Sequence, residues 1–204
     1  MRALRSCVVA APALLLAASA AAHAQAVVTP YIDTNVAGEV ETARGGLGVS
    51  LAYYVRGRIG LEVDAELHRH FFRDADVAHL VGSGDDLDTR ATILTANVVA
   101  PYCFHRAGIW CPYAVAGLGM VRTTFETFTV TEGGGVETDT HDDLAFDAGL
   151  GVMHALTDLV GLRLDARYIH AFVDGTASGG GFGEDFAWWR VSVGITVSFP
   201  QSVR

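Results

Sequence analysis

The sequence predicts an all-β chain, an eight-stranded antiparallel transmembrane up-and-down β-barrel preceded by a cleaved signal peptide. Three observations carry this. Trp189 to Phe199 alternates strictly, with Trp189, Val191, Val193, Ile195, Val197 and Phe199 separated by Arg190, Ser192, Gly194, Thr196 and Ser198. One face of such a strand is apolar and the other polar, and its length fits the about 9–11 residues a tilted strand needs to cross a bilayer. Half of the chain is apolar and Gly occurs 23 times, yet nothing after residue 24 reaches eighteen consecutive apolar residues; such a composition suits a barrel better than membrane helices. Connections between alternating segments are short near residues 57, 107 and 158 and longer and more polar near 41, 80, 134 and 179. Short turns at one rim and long loops at the other are the pattern of membrane barrels.

The chain opens with Arg2 and Arg5, continues with an apolar run from Cys7 to Ala22 and reaches Ala22-His23-Ala24. A basic start, a short apolar run and an A-x-A site predict a secretory signal peptide over residues 1–24, cleaved before Gln25. Residues 25–204 then form one barrel domain. The formal charge of −9 becomes more negative once Arg2 and Arg5 are removed, which argues against nucleic acid as a partner.

Strand by strand, parity assigns the faces. The first segment, 27–39, places Val28, Ile32 and Val36 outward and Tyr31, Asp33, Asn35 and Glu39 inward; Pro30 is tolerable near a strand start. In the second, 46–55, Leu47, Val49, Leu51, Tyr53 and Val55 face out. The third, 59–70, alternates Ile59, Leu61, Val63, Ala65 and Leu67 with Gly60, Glu62, Asp64, Glu66, His68 and His70. Such a polar row cannot face lipid, so it lines a polar interior. The fourth, 90–103, is oriented by Asn97, whose amide is costly against lipid; Leu94, Ala96 and Val98 then face out. The fifth places Ala114, Ala116, Leu118 and Met120 outward, and residues 124–143 are expected to form a long acidic loop. The sixth alternates Leu144, Phe146, Ala148, Leu150 and Val152 with Ala145, Asp147, Gly149, Gly151 and Met153. The seventh sends Leu162, Leu164, Ala166 and Tyr168 out and Arg163, Asp165 and Arg167 in. The eighth is the closing strand.

Aromatic residues gather near strand ends and predict two interfacial belts. Phe71, Phe72, Phe125, Phe146, Tyr168, Phe172, Trp188 and Trp189 belong to one; Tyr53, Tyr102, Phe104, Trp110 and Phe199 belong to the other. The GLG repeats at 46–48, 117–119 and 149–151 precede no helix and are strand features rather than phosphate loops.

The segments Pro112–Gly119 (PYAVAGLG), Leu162–Tyr168 (LRLDARY) and Val191–Phe199 (VSVGITVSF) resemble the small outer-membrane β-barrel family of the OmpA/OmpX type, over nearly all of residues 25–199. Within the last, Ser192, Gly194, Val197 and Phe199 are similar to the polar-x-Gly-x-x-apolar-x-aromatic signal by which the family's assembly machinery reads the final strand. The resemblance implies an outer-membrane location in a Gram-negative-type bacterium, with both termini periplasmic. It also implies outer-membrane lipids and lipopolysaccharide as surroundings, periplasmic chaperones and the barrel-assembly machinery as biogenesis partners, and a monomer. The chain stops five residues after Phe199, so the peptidoglycan-binding domain of many such proteins is expected to be absent. The motifs specify a fold and no activity; the role expected is structural, for envelope integrity, or surface interaction.

An eight-stranded barrel is just wide enough to be filled by side chains. Glu62, Asp64, Glu66 and Asp165 are therefore expected to pair with Arg163 and Arg167 in a plugged lumen, since isolated buried ions are costly. Other readings are a small-solute porin, a lipid A deacylase-like enzyme and a soluble lipocalin-like barrel with its faces exchanged. The deacylase type uses a His-x-Ser pair, and here His68-Arg69-His70 and His170-Ala171-Phe172 lack the serine. A metal site from His68, His70, Asp74, Asp76 and His79, or from Asp85, Asp86 and Asp88, lacks calcium-loop spacing; neither a metal nor a cofactor is expected. Cys103 and Cys111 are predicted to be bridged. Parity turns both inward, and a three-residue turn at Arg106-Ala107-Gly108 sets them directly opposite, at a Cα separation a disulfide accepts.

Overall fold

The computed structural model describes residues 24–40, 45–55, 59–69, 71, 87–103, 110–129, 135–173 and 185–200. The predicted signal peptide, the turn at 106–108, and His70, Phe72, Asp74, Asp76, His79, Asp85, Asp86 and Phe104 lie outside them, apart from Ala24. Eight strands follow in order: β1 (Ala24–Gly38), β2 (Gly45–Val55), β3 (Ile59–Arg69), β4 (Leu87–Pro101), β5 (Trp110–Thr129), β6 (Gly135–Ala155), β7 (Val160–Phe172) and β8 (Phe186–Pro200). Each pairs antiparallel with its sequence neighbours, and β1 closes on β8. The closing ladder runs from Gln25↔Pro200 to Gly38↔Trp188, so no sheet edge remains for lipid to meet.

Burial decides which face is inside. Leu61 and Leu164 are 46% and 49% exposed, whereas Glu62 and Arg167 are 2% and 1% exposed. A soluble barrel would have the opposite assignment. The outward row of Ile32, Leu47, Leu118, Leu150, Val193 and Ile195 is exposed, as befits side chains solvated by lipid.

One irregularity resets the parity of β1. Its register with β8 shifts between Asn35 and Ala37, so Val36 and Ala37 are both exposed while Asn35 is buried. An extra residue in one strand bends it and sharpens its twist. Gly38 then sits at φ 122°, and a Cβ there would lie 2.4 Å from the Ala187 carbonyl oxygen, so both the conformation and the close approach require glycine.

Two expectations are corrected. Residues 124–129 and 135–143 are strand rather than loop: β5 continues to Thr129 and β6 begins at Gly135, paired from Phe125↔Asp139 to Thr129↔Gly135. Thr and Phe dominate residues 123–129 and favour extended backbone, so the hairpin runs on beyond the apolar wall. The belt assignment of Phe71, Phe125 and Trp188 also fails. All three are buried in one cluster inside the barrel with Val40, Ile93 and Phe186. Phe146, Tyr168, Phe172 and Trp189 do face outward, with Phe146 and Tyr168 ring centroids 6.1 Å apart and Tyr168 and Trp189 5.5 Å apart.

Candidate functional site

The lumen is filled in three tiers. At the end carrying the short connections, Val27, Ala52, Tyr54, Val99, Tyr113 and Val115 form an apolar floor. Below it opens a shallow cavity of about 270 Å³, bordered by Gln25, Met153, Thr157 and Thr196. At the other end Phe71, Phe186 and Trp188 form the cap, Trp188 standing edge-on to Phe71 at 5.2 Å and stacking on Phe186 at 5.6 Å.

Between floor and cap lie the charges. Arg167, on β7, reaches Glu62 Oε1 at 2.8 Å, Asp147 Oδ2 at 3.1 Å and Asp165 Oδ1 at 3.4 Å. Arg163 donates to the other Glu62 oxygen, to Asp165 Oδ2 at 3.2 Å and to the Tyr113 hydroxyl at 2.7 Å. Arg190, on β8, pairs with Glu66 and lies 3.7 Å from Asp64 Oδ1. Two tyrosines join carboxylates to guanidiniums: Tyr31 donates to Asp64 Oδ1 at 2.5 Å, and Tyr113 donates to Asp165 Oδ2 at 2.7 Å. Each also lies under an arginine, with Arg190 5.3 Å from the Tyr31 centroid and Arg163 4.8 Å from that of Tyr113, within cation–π range. Asn97, its amide oriented to suit its neighbours, donates to Asp147 Oδ1 at 2.7 Å and accepts from Arg167 Nη1 at 2.9 Å.

Glycines in the GLG repeats make room for this packing. A Cβ on Gly48 would lie 2.1 Å from the Tyr31 ring, one on Gly151 2.3 Å from the Tyr113 ring, and one on Gly149 2.8 Å from Arg167 Cγ. Each repeat turns its two glycines inward, where a Cβ would meet a lumen side chain or the neighbouring strand's backbone.

The structure thus places Glu62, Asp64, Glu66, Arg163, Asp165 and Arg167 together in the lumen, all buried. The sequence-based network omitted Arg190, Asp147, Tyr31, Tyr113, Asp33 and His68. Their inward parity was a signal for each, but parity does not reveal which residues meet across the lumen. Ser192 is buried and donates to Asp165 Oδ1 at 3.0 Å. Gly194 packs against β1, where a Cβ would meet the Pro30 oxygen at 2.7 Å. Val197 pairs with Val28 and Phe199 with Ala26, and Phe199 is exposed on the outer wall. Cys103 and Cys111 are joined by a disulfide at a Cα separation of 4.3 Å. The Tyr102 backbone amide donates to the Pro112 carbonyl at 2.7 Å, in the register that opposes the cysteines. Cys103 and Cys111 both line the cavity below the floor, and Cys103, beyond the end of β4 at Pro101, is exposed at its rim.

On the outside, Met120 and Leu144 are paired at the upper edge of the apolar wall, and Arg122 and Asp142 stand one outward pair above them. Arg122 donates to both oxygens of Asp142, at 2.6 and 2.8 Å. This hydrogen-bonded pairing holds the Asp142 carboxyl below the usual carboxylate range and marks where the hairpin leaves the membrane.

Comparison with known proteins agrees with this geometry. Residues 8–196 match the family described as outer membrane protein beta-barrel domain. Outer membrane protein PagN of Salmonella typhimurium is 26% identical over 136 residues, covering 62% of this chain and 57% of that protein; the match thus spans little more than half of PagN. Among solved structures, a major outer membrane protein of Thermus thermophilus superposes with a TM-score of 0.60 at 10% identity, covering 85% of this chain and 99% of that one. Neisserial surface protein A does so at 0.55 and 16%, covering 87% and 96%. Ail, the attachment invasion locus protein of Yersinia pestis, does so at 0.53 and 14%, covering 88% and 100%. At these identities the structural likeness is one of fold. With the match over most of its length, the chain belongs to the outer-membrane protein β-barrel domain family and is an outer-membrane protein.

Proposed function

We propose that this protein is a closed, non-conducting anchor whose outer hairpin and loops serve surface contact or envelope integrity, rather than solute passage or lipid chemistry. The observation that carries this reading is the filled lumen. Floor, charge network and cap occupy the width of an eight-stranded barrel, where the interior holds side chains and little else. The β5–β6 ladder, continued past the apolar wall to Thr129↔Gly135, supplies a stiff projection for contact.

In this reading residues 1–24 are removed on secretion, the short connections and both termini are periplasmic, the assembly machinery and periplasmic chaperones handle the nascent barrel, and the folded protein is a monomer. Lipopolysaccharide is the natural neighbour of the upper rim. Arg69 and Arg90 are directly opposed across β3 and β4 and exposed on the outer wall, and like charges so placed are compatible with phosphate between them. No hydrolase chemistry is proposed, because His170 is followed two residues on by Phe172 instead of a serine.

The test is complementation of a deletion strain under detergent and serum stress. The full chain restores survival, whereas a chain with residues 126–138 replaced by a short turn still assembles but does not. Full rescue by the shortened chain would overturn the contact reading, and a mass change in lipid A on expression would restore the enzyme.

A further inference from the structure

We propose that Asp33, Glu66 and His68 form a divalent-metal site in the upper lumen, suited to zinc or a similar first-row cation. Asp33 comes from β1 and the other two from β3. They meet across β2, where Asp33 and His68 both pair with Gly46. Gly46 clears the space between them: a Cβ there would lie 2.6 Å from Asp33 Oδ1 and 2.5 Å from His68 Cε1. His68 Nε2 lies 3.3 Å from Asp33 Oδ1 and touches Glu66 Oε1. One ligand atom from each residue falls within 4.8 Å of the others, and all three side chains are fully buried.

Charge is what sets this corner apart. Among the described buried groups, six carboxylates (Asp33, Glu62, Asp64, Glu66, Asp147 and Asp165) face three guanidiniums and one imidazole. Each of these carboxylates except Asp33 lies within 4.0 Å of an arginine. Among the described residues Asp33 has only His68 at that range, and neither of its oxygens has a well-formed hydrogen bond, although the Gly46 amide lies beside it. Asn35, the next inward residue on β1, is also buried with both amide atoms unpartnered. A buried carboxylate without an arginine is costly, and a divalent cation held between Asp33 and Glu66 removes that cost for Asp33.

The donor set narrows the ion. One imidazole nitrogen and two carboxylate oxygens suit zinc and its first-row neighbours, whereas calcium takes oxygen alone and cuprous copper wants sulfur. Phe71 covers the site, with its ring centroid 5.5 Å from that of His68, and Trp188 braces Phe71 from the side. Under that cap a bound ion exchanges slowly and enters most readily while the barrel folds. The competing occupant is a proton held among the same three side chains.

The experiment refolds the full chain into detergent micelles with a few equivalents of zinc chloride, strips loose metal with chelating resin and measures zinc by mass spectrometry. Folding is checked by the heat-dependent gel shift of the barrel. The folded wild type is expected to hold about one zinc per chain against chelator, and Asp33→Asn and His68→Gln less than about a tenth of that. X-ray absorption of the wild type should show a nitrogen and oxygen shell near about 2.0 Å with one imidazole and no sulfur. That spectrum decides the matter if either variant fails to fold. Folded wild type without chelator-resistant zinc, equal zinc in the folded variants, or a zinc shell without imidazole would each overturn the site.

Discussion

Asp147 and Asp142 lie five residues apart on β6, and each faces an arginine, but the two pairs sit in different worlds. Asp142 and Arg122 form the better geometry, two parallel hydrogen bonds at 2.6 and 2.8 Å, with side chains 45% and 52% exposed. Asp147 meets Arg167 at 3.1 Å with both side chains 1% exposed, and Arg167 also serves Glu62 and Asp165. The difference teaches that geometry does not set the worth of an ion pair; surroundings do. In water the exposed pair exchanges one good solvation for another, whereas removing one partner of a buried set strands charge where nothing else can solvate it.

Replacing Arg167 by methionine tests the buried side of this contrast and has the largest expected effect. It leaves Glu62, Asp147 and Asp165 short of a cation and should destabilise the barrel by about 3–5 kcal/mol, read from reversible urea unfolding in micelles. Arg122→Met should shift the same unfolding curve only slightly. Equal shifts for the two variants would break the comparison.

Gly48→Val tests whether packing, and not charge alone, holds the upper lumen. Its side chain would enter the space of the Tyr31 ring, displace the hydroxyl that donates to Asp64 and cost about 1–3 kcal/mol by overpacking. Unchanged unfolding would mean that the tyrosine moves freely.

Smaller still is the disulfide. Cys103 and Cys111 are eight residues apart and close a loop that the β4–β5 ladder already constrains. Replacing both by serine should therefore cost less than the roughly 3 kcal/mol of a 15-residue loop, and should slow folding of that hairpin more than it destabilises the finished barrel.

Much of the barrel was legible in the sequence because a strand between lipid and a polar lumen must alternate. Glu62, Asp64 and Glu66 on β3 and Arg163, Asp165 and Arg167 on β7 could be assigned to the interior from parity alone. For Trp188 and Trp189 alternation alone excludes a shared place in the outer belt, because neighbours in a strand face opposite ways. The β5–β6 extension was hidden for a different reason. Above the apolar wall no lipid requires an apolar outer face, so residues 124–129 and 135–143 lose the strict alternation that marks a strand, and acidic residues and glycine then read as a loop. Partners across the lumen were not legible at all. Arg163 on β7 reaches Glu62 on β3, four strands away, and strand tilt and stagger decide such meetings.

The exposed pair also predicts a pH signature, the smallest effect of the set. The Asp142 carboxyl is held below its ordinary value in the folded protein, so its contribution is present above the unfolded value of about 3.9. It is lost as pH falls through the lower, folded value. The difference in unfolding between wild type and Asp142→Asn should be flat above about pH 5 and vanish in stronger acid. A difference that grows on acidification would reverse the sign and contradict the pairing.

The filled lumen is tested most directly by conductance. Purified, refolded protein inserted into planar bilayers should give no steady open channel, because in the proposed reading floor, charge network and cap close the lumen. Large, long-lived and uniform conductance steps from the folded wild-type barrel would contradict the account.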